Sequence, residues 1–319
     1  MRLLLIDPEG SNALDLALRA QQQGHTVKVA IKPIERRMLI GKGLVDVVRD
    51  PREWFRWADL VINTDNSVYL RDLDNHRKEG GKVISSSQET ALWEIDRLIG
   101  QSVMRKAGIP TIPSKEFTDY DTAIAHVKKT GKRYVSKPTG GIETNKALSY
   151  VSSSADDMVF MLQRWKKLDK LKTPFVLQDF VHGIEMGVAG WFGPGGWNEG
   201  WEENFEHKAL MNDNKGPSTG EQGTVLRYVR SSKLARRMLS PLTQTLEKVG
   251  YVGDIDVNCI IDEKGQAWPL EFTCRLGWPA FHLQTALIAG DVAEFLLDLA
   301  NGRDARPFAY DQIAAGVVM

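Results

Sequence analysis

Tyr251–Arg275 reads YVGDIDVNCIIDEKGQAWPLEFTCR. Two β-type runs, Ile255 to Ile261 and Gln266 to Thr273, are joined by Asp262, Glu263, Lys264 and Gly265, a polar connection closed by the glycine that a tight hairpin favours. The expected element is an antiparallel ribbon. Side chains on one face of two paired strands converge, so Asn258 and Glu271 are expected at one site, with Thr273 on the face of Glu271 and Arg275 two residues further on. A carboxylate, an amide oxygen and a hydroxyl form a hard-oxygen set suited to Mg²⁺, which takes one or two carboxylates and fills its sphere with waters and substrate phosphates. The guanidinium adds a clamp for phosphate or carboxylate. The competing reading of the same residues is a solvated hairpin with ordinary surface charges.

The chain has 319 residues, 41 Lys+Arg against 41 Asp+Glu, and 42% hydrophobic residues, which describes a globular protein with room for about two or three subdomains. Zero formal charge argues against a nucleic-acid or membrane partner held by bulk electrostatics and favours small-molecule partners. No run of about 18 apolar residues is present, and Met1-Arg-Leu-Leu-Leu-Ile-Asp7 leads straight into a strand without a signal-peptide pattern, so a cytoplasmic location is expected. Cys259 and Cys274 lack metal-type spacing and read as buried free thiols. The six histidines form no zinc motif.

Arg2 to Ile6 is an apolar strand, and Leu14, Ala17 and Leu18 repeat at helical spacing until Gly24. Strands at Thr26 to Ile31, Val45 to Val48, Asp59 to Asn63 and Lys82 to Ser85 alternate with a helix carrying Trp54 and Trp57 on one face and another from Ser67 to Lys78. That alternation predicts an α/β fold opening on a doubly wound parallel sheet. The turn DPEGSNA after the first strand lacks GxGxxG, which disfavours a nicotinamide-dinucleotide fold. A helical segment from Glu94 to Ala107 leads to a proline-bearing boundary at Gly108 to Pro113.

Helix Tyr120 to Thr130, strand Arg133 to Lys137, loop Pro138 to Lys146, strand Ala147 to Val151, helix Ala155 to Trp165 and strand Phe175 to Phe180 make the next unit. The loop contains Gly140 and Gly141 and is bracketed by Lys137 and Lys146, so its backbone can approach an anion while two ammonium groups hold it; a plain hairpin is the alternative. Gln178 and Asp179 end a buried strand, and Glu185 follows a turn, an arrangement able to seat an adenine ring against Phe180 and Val181 with Glu185 accepting from ribose hydroxyls. Gly193 to Gly223 reads as a long irregular segment of the kind that carries function. A helix kinked at Pro241 is expected over Ser231 to Val249, and a last helix at Val292 to Leu299 precedes the strand-like Gly316 to Met319.

This succession resembles the ATP-grasp superfamily, and more closely the phosphoribosylamine-glycine ligase (glycinamide ribonucleotide synthetase) family, nearly end to end. The family's DHKR…TGPNTGGMG corresponds to Glu206-His-Lys-Ala209 and Lys215 to Gly223, and its metal-binding EFNCRFGDPE to Glu271-Phe-Thr-Cys-Arg-Leu-Gly-Trp-Pro-Ala280. The resemblance implies an N-terminal domain over 1–92 and two ATP-grasp subdomains, 93–180 with the phosphate loop and adenine strand and 181–319 with the substrate loop and metal ribbon, enclosing the nucleotide. It implies ATP contacts from Arg97, Lys137, Lys146, Gln178, Asp179, Val181 and Glu185. Mg²⁺ or Mn²⁺ is implied on Glu271, Asn258 and Thr273, catalysis by Arg275 and Lys146, and substrate contacts from His207, Lys208, Ser218, Thr219 and Arg275.

The sequence also departs from the family. Thr273 stands for the metal-binding Asn, Trp278 and Ala280 for the acidic pair of GDPE, Ala209 for the Arg of DHKR, and Gly220-Glu-Gln-Gly223 for GGMG. The GGREHA-like turn is Glu9-Gly-Ser-Asn-Ala13, and the chain stops where the family continues into a C-terminal domain. ATP-side residues are kept while substrate-side residues change. The expected activity is therefore an ATP-dependent carboxylate-amine ligase, monomeric or homodimeric, that works through an acyl phosphate. The alternatives are a shortened phosphoribosylamine-glycine ligase and a non-catalytic nucleotide-binding regulatory protein. Pro138 to Lys146 and Asn204 to Gly223 are expected to close over the nucleotide.

Overall fold

A computed structural model describes residues 1–10, 12–32, 39–139, 149–168, 174–216, 218–303 and 311–318. The N-terminal region runs β1 (Arg2–Ile6), α1 (Leu14–Gln22), β2 (Thr26–Ala30), β3 (Asp46–Val48), β4 (Leu60–Asn63), α2 (Leu70–Lys78) and β5 (Val83–Ile84). The strands form a parallel sheet in the order β3-β2-β1-β4-β5. Leu3 to Ile6 are fully buried, as a central parallel strand covered on both faces requires. At its end the Asp7 carboxylate accepts from the backbone N–H groups of Gly10 at 2.9 Å and of Asn12 and Ala13 at 2.7 Å, so a side chain rather than a glycine-rich loop turns the chain into α1.

Two helices expected here are shorter than their sequence patterns. Pro51–Trp54 is a single 3₁₀ turn that stops before Trp57, although the two indoles still meet edge to face at 5.8 Å. Asp65 takes the N–H groups of Ser67 and Val68 at 2.6 and 2.9 Å into a turn, and Tyr69 has φ of 56°, which delays α2 to Leu70.

Next come α3 (Gln88–Ile95), α4 (Arg97–Lys106), β6 (Ser114–Phe117), α5 (Tyr120–Thr130), β7 (Tyr134–Pro138), β8 (Tyr150–Val151), α6 (Ala155–Lys167) and β9 (Phe175–Asp179). The helical segment expected from Glu94 is two helices, broken where the Asp96 carboxylate caps Leu98 and Ile99 N–H at 2.9 and 3.2 Å. Such a cap contributes about 0.5–2 kcal/mol. The strands pair antiparallel in the order β6-β9-β7-β8, and α5 and α6 cover Tyr134, Phe175 and Leu177 with Val127, Leu162 and Trp165. Of the expected phosphate loop, residues 140–146 lie outside the described residues, as does the start of the following strand at Ala147.

The rest comprises β10 (Gly183–Gly193), β11 (Gly196–Ala209), β12 (Ser218–Val229), α7 (Lys233–Met238), α8 (Thr243–Val249), β13 (Gly253–Asp262), β14 (Ala267–Thr273), α9 (Ala280–Leu287), α10 (Val292–Ala300) and β15 (Ala314–Val317). The sheet order is β14-β13-β10-β11-β12-β15. The expected ribbon is β13 and β14, with the Gly265 N–H closing the turn on the Asp262 carbonyl at 2.8 Å and Gly265 at φ of +72°. The long helix is split at Pro241 by a 3₁₀ turn, Ser240–Leu242. Gly193 to Gly223 is not irregular: most of it is β11 and the start of β12, which pair antiparallel. Asn204 to His207 and Gly223 are ladder residues, so the segment expected to close over the nucleotide is in large part strand rather than an irregular loop.

By compactness the chain forms two units, Met1–Glu94 with Glu185–Asn258 and Phe272–Met319, and Ile95–Ile184 with Cys259–Glu271. In the first, one apolar cluster unites Leu3, Leu5, Leu60 and Ile62 of the parallel sheet with Trp191, Leu276, Phe281 and Leu296.

Candidate active site

In the second unit, the cap at Asp96 fixes the start of α4 and so the direction of Arg97. Its guanidinium donates to Glu271 Oε2 at 3.0 Å and to the Leu270 carbonyl at 3.2 Å, and Gln101 Nε2 donates to that same carbonyl at 3.1 Å. Two residues assigned from sequence to phosphate and metal are thus one ion pair. On β9, Gln178 is buried, and Asp179 accepts from Lys132 at 2.8 Å. The Arg133 guanidinium lies 3.4 Å from the centre of the Phe180 ring, covering a face assigned above to adenine. Lys137 lies on β7 opposite Val176, Val181 follows β9 half-buried, and Lys146 is outside the described residues.

In the first unit, Glu185 of β10 accepts from Lys208 of β11 at 2.6 Å, and the same ammonium is 3.3 Å from Glu206. Asn258 donates to Glu206 Oε2 at 2.6 Å, while its own Oδ1 is buried and has no partner among the described residues. Thr219 donates to the Lys208 carbonyl at 2.7 Å, and Ser218 begins β12. Strand alternation puts exposed His207 on the face opposite Lys208, so the two are not brought together. Thr273 ends β14, half-buried.

Arg275 is held by a residue the sequence reading missed. Glu94 Oε1 lies 3.1 Å from its guanidinium, and Glu94 Oε2 accepts from the Cys274 N–H at 3.0 Å. Arg275 also donates to the Leu276 carbonyl at 3.1 Å, and the Ser86 hydroxyl donates to the Cys274 carbonyl. Both cysteines are buried and outside any disulfide, and burial pushes the Cys274 thiol up, out of the reactive range.

A second group also escaped sequence reading. Glu202, Asn204 and Glu206 alternate on β11, and Asp254, Asp256 and Asn258 alternate on β13. Asn204 Nδ2 donates to Glu202 and to Asp256, both at 3.0 Å; Gln284 of α9 donates to Glu202 and, at 2.8 Å, to Asp254. Burial, with the charge of Glu206 added, pushes the Glu202 carboxyl up to about 7. Burial and Glu206 together push Glu221 up to about 8. Asp254 and Asp256 are also raised well above the carboxylate range, first by burial and then by neighbouring carboxylates. The period-2 run of polar residues at 254, 256 and 258 was the available signal. Among the described residues, no three His, Cys, Asp or Glu side chains are grouped to hold a metal ion.

Residues 96–280 match the model of the phosphoribosylglycinamide synthetase ATP-grasp (A) domain. The chain belongs to that family. It is 25% identical over 270 residues to a phosphoribosylamine-glycine ligase of Ralstonia nicotianae, an alignment covering 81% of this chain and 64% of the relative. The chain therefore spans less than two thirds of the length of that relative. A phosphoribosylamine-glycine ligase from Thermotoga maritima superimposes with a TM-score of 0.75 at 18% identity, over 99% of this chain and 80% of that one. An L-amino acid ligase from Bacillus licheniformis does so with a TM-score of 0.63 at 14% identity, over 98% and 78%. The ATP-grasp domain match includes Arg97, the β9 strand, the carboxylates of β11 and β13 and the Glu271 to Arg275 ribbon; Glu94 lies just before it and Gln284 just after.

Proposed function

We propose that the chain is an ATP-dependent carboxylate-amine ligase that forms a C–N bond and releases ADP and phosphate. The observation that carries this reading is the fixed guanidinium of Arg275, tied by Glu94 to the end of the ribbon in a chain of the ATP-grasp family. A side chain held in this way can neutralise charge on a transferred phosphoryl group without reorganising.

In the second unit, Arg97, Lys137 and Lys146 would hold phosphates, and Gln178, Asp179 and Val181 the adenine; in the first, Glu185 would take the ribose. Glu271, Asn258 and Thr273 are the proposed Mg²⁺ ligands, and the unpartnered, buried Oδ1 of Asn258 fits a cation. When bound, the metal would neutralise the phosphate oxygens. The substrate carboxylate attacks the γ-phosphorus and ADP leaves; the amine nitrogen then attacks the acyl carbon, the C–O bond to phosphate breaks, and the amine proton leaves with phosphate. Lys208, Thr219, Ser218 and His207 are the proposed substrate-side residues, with Arg275 and Lys146 acting on the transferred group.

The test is ADP release from Mg-ATP against a panel of amino acids, each with and without candidate amines. Release that requires one carboxylate and one amine together is expected. ATP binding with no release under any pair would favour a regulatory protein instead. The names of the relatives favour a second reading, glycine with phosphoribosylamine, and that pair belongs in the panel.

A further inference from the structure

Within the ligase reading, we propose that the acidic face of the first unit recognises the amine substrate as a cation, a primary ammonium or a guanidinium, seated on Glu206, Glu221 and Asp256. The face is built from four strands and one helix. Two hydrogen-bonded sets meet on it: Asn204 and Gln284 join Glu202, Asp254 and Asp256, while Lys208 and Asn258 hold Glu185 and Glu206; Glu221 of β12, whose carboxyl feels the charge of Glu206, adds a sixth. Lys208 supplies an ammonium to two of them, Glu185 and Glu206.

The hydrogen bonds already made decide the chemistry of the missing partner. The Asn204 and Gln284 amides each spend their N–H groups on two carboxylates, and Asn258 donates to Glu206. Once the carboxyls ionise, what remains on them is acceptor. Among the described residues, Asp256 Oδ1 and Glu221 Oε1 are buried without a partner, as is the hydroxyl of Thr224, which sits opposite Glu206 in the ladder. Asp256 is only 9% exposed and Thr224 2%. Buried polar groups are normally paired, and a set of surplus acceptors is met by a ligand that carries only donors. Ammonium and guanidinium are such ligands.

Exposure fixes where the cation enters. Glu202 and Asp254 lie at the buried end beneath Gln284, whereas the side chains of Glu206, Lys208 and Glu185 are 12%, 22% and 34% exposed. The charged head of the ligand therefore meets Glu206 and Glu221 first, with the buried Oδ1 of Asp256 behind them, and stops short of Glu202. Glu221 and Gln222 stand where the resembling family has Gly-Met, so this carboxyl is a feature of this chain. Once its carboxyls ionise around a cation, the same face opposes a phosphate group, which sets the proposed acceptor apart from phosphoribosylamine.

The experiment is a calorimetric titration of the full chain with putrescine, against tetramethylammonium chloride and 1,4-butanediol at matched ionic strength. Saturable putrescine binding is expected, weakened about tenfold (~1.4 kcal/mol) in Glu221→Gln and in Asp256→Asn. It should be unchanged in Glu203→Gln, whose carboxylate pairs with Arg227 instead. Equal affinity in wild type and both variants, or equal binding of tetramethylammonium, overturns the proposal. The titration needs no turnover, so it is separable from the ligase test. Putrescine binding that depends on Glu221, with no ADP release under any pair, overturns the ligase reading and leaves the cation site. ADP release with a phosphate-bearing amine, and no putrescine binding, does the reverse.

Discussion

Glu94 shows what a single residue contributes and what a sequence conceals. Its carboxylate touches both the Arg275 guanidinium and the Cys274 backbone, so it fixes the direction of the side chain proposed to meet the transferred phosphoryl group. Glu94→Gln keeps the shape and removes the charge; kcat is expected to fall by about 100-fold with little change in the KM for ATP, as for a misaimed catalytic group. An unchanged kcat in a steady-state assay would leave Arg275 without need of this partner. Glu271 and Arg275 were proposed from sequence because they lie four residues apart at the end of one short ribbon. Glu94 was not, since only the fold brings it across 180 positions to Cys274. The same applies to Arg97, whose role as the partner of Glu271 depends on a separation of 174 positions being closed.

At the scale of elements, the parallel sheet and the ribbon were readable because their hydrophobic runs are bounded by turn residues. β11 was not. The face that in an ordinary strand would carry apolar residues carries Glu202, Asn204 and Glu206 here, so composition imitates a loop. α9 was missed for a related reason: it is eight residues long and begins after Pro279 without a side-chain cap. The packing of β10 on β11 gives a prediction of its own. A Cβ on Gly187 would lie 2.2 Å from Asn204 Oδ1 and 2.7 Å from its Nδ2, and Asn204 is the amide that bridges Glu202 to Asp256. Gly187→Ala is expected to destabilise the chain by about 1–3 kcal/mol, the usual range for overpacking, read as a lower midpoint in urea. A midpoint at the wild-type value would mean that the amide has room to move aside.

For the whole molecule, the buried acids set how stability depends on pH. Glu221 rises from 4.5 to about 8 and Glu202 from 4.5 to about 7, both chiefly because burial disfavours the charged form. Between the unfolded and folded values, the unfolded chain has released protons that the folded chain still holds. Stability therefore falls as pH rises from 4.5 through 7 to 8, and is flat above that range as far as these groups are concerned. Carboxylates held low by arginine, such as Asp59 beside Arg2 and Asp50 beside Arg52, act in the opposite sense but only below 3.8, outside this window. The melting temperature is accordingly expected to be higher at pH 5 than at pH 8, and Glu221→Gln should flatten the upper part of that slope, because a neutral amide has no proton to lose. A cation bound to Glu221 favours its ionised form, so putrescine should raise the melting temperature more at pH 8 than at pH 6 in the wild type and lose that difference in the variant. A slope of the opposite sign, with stability rising from pH 5 to 8, would mean that these carboxyls are ionised in the folded chain and already have a counter-charge.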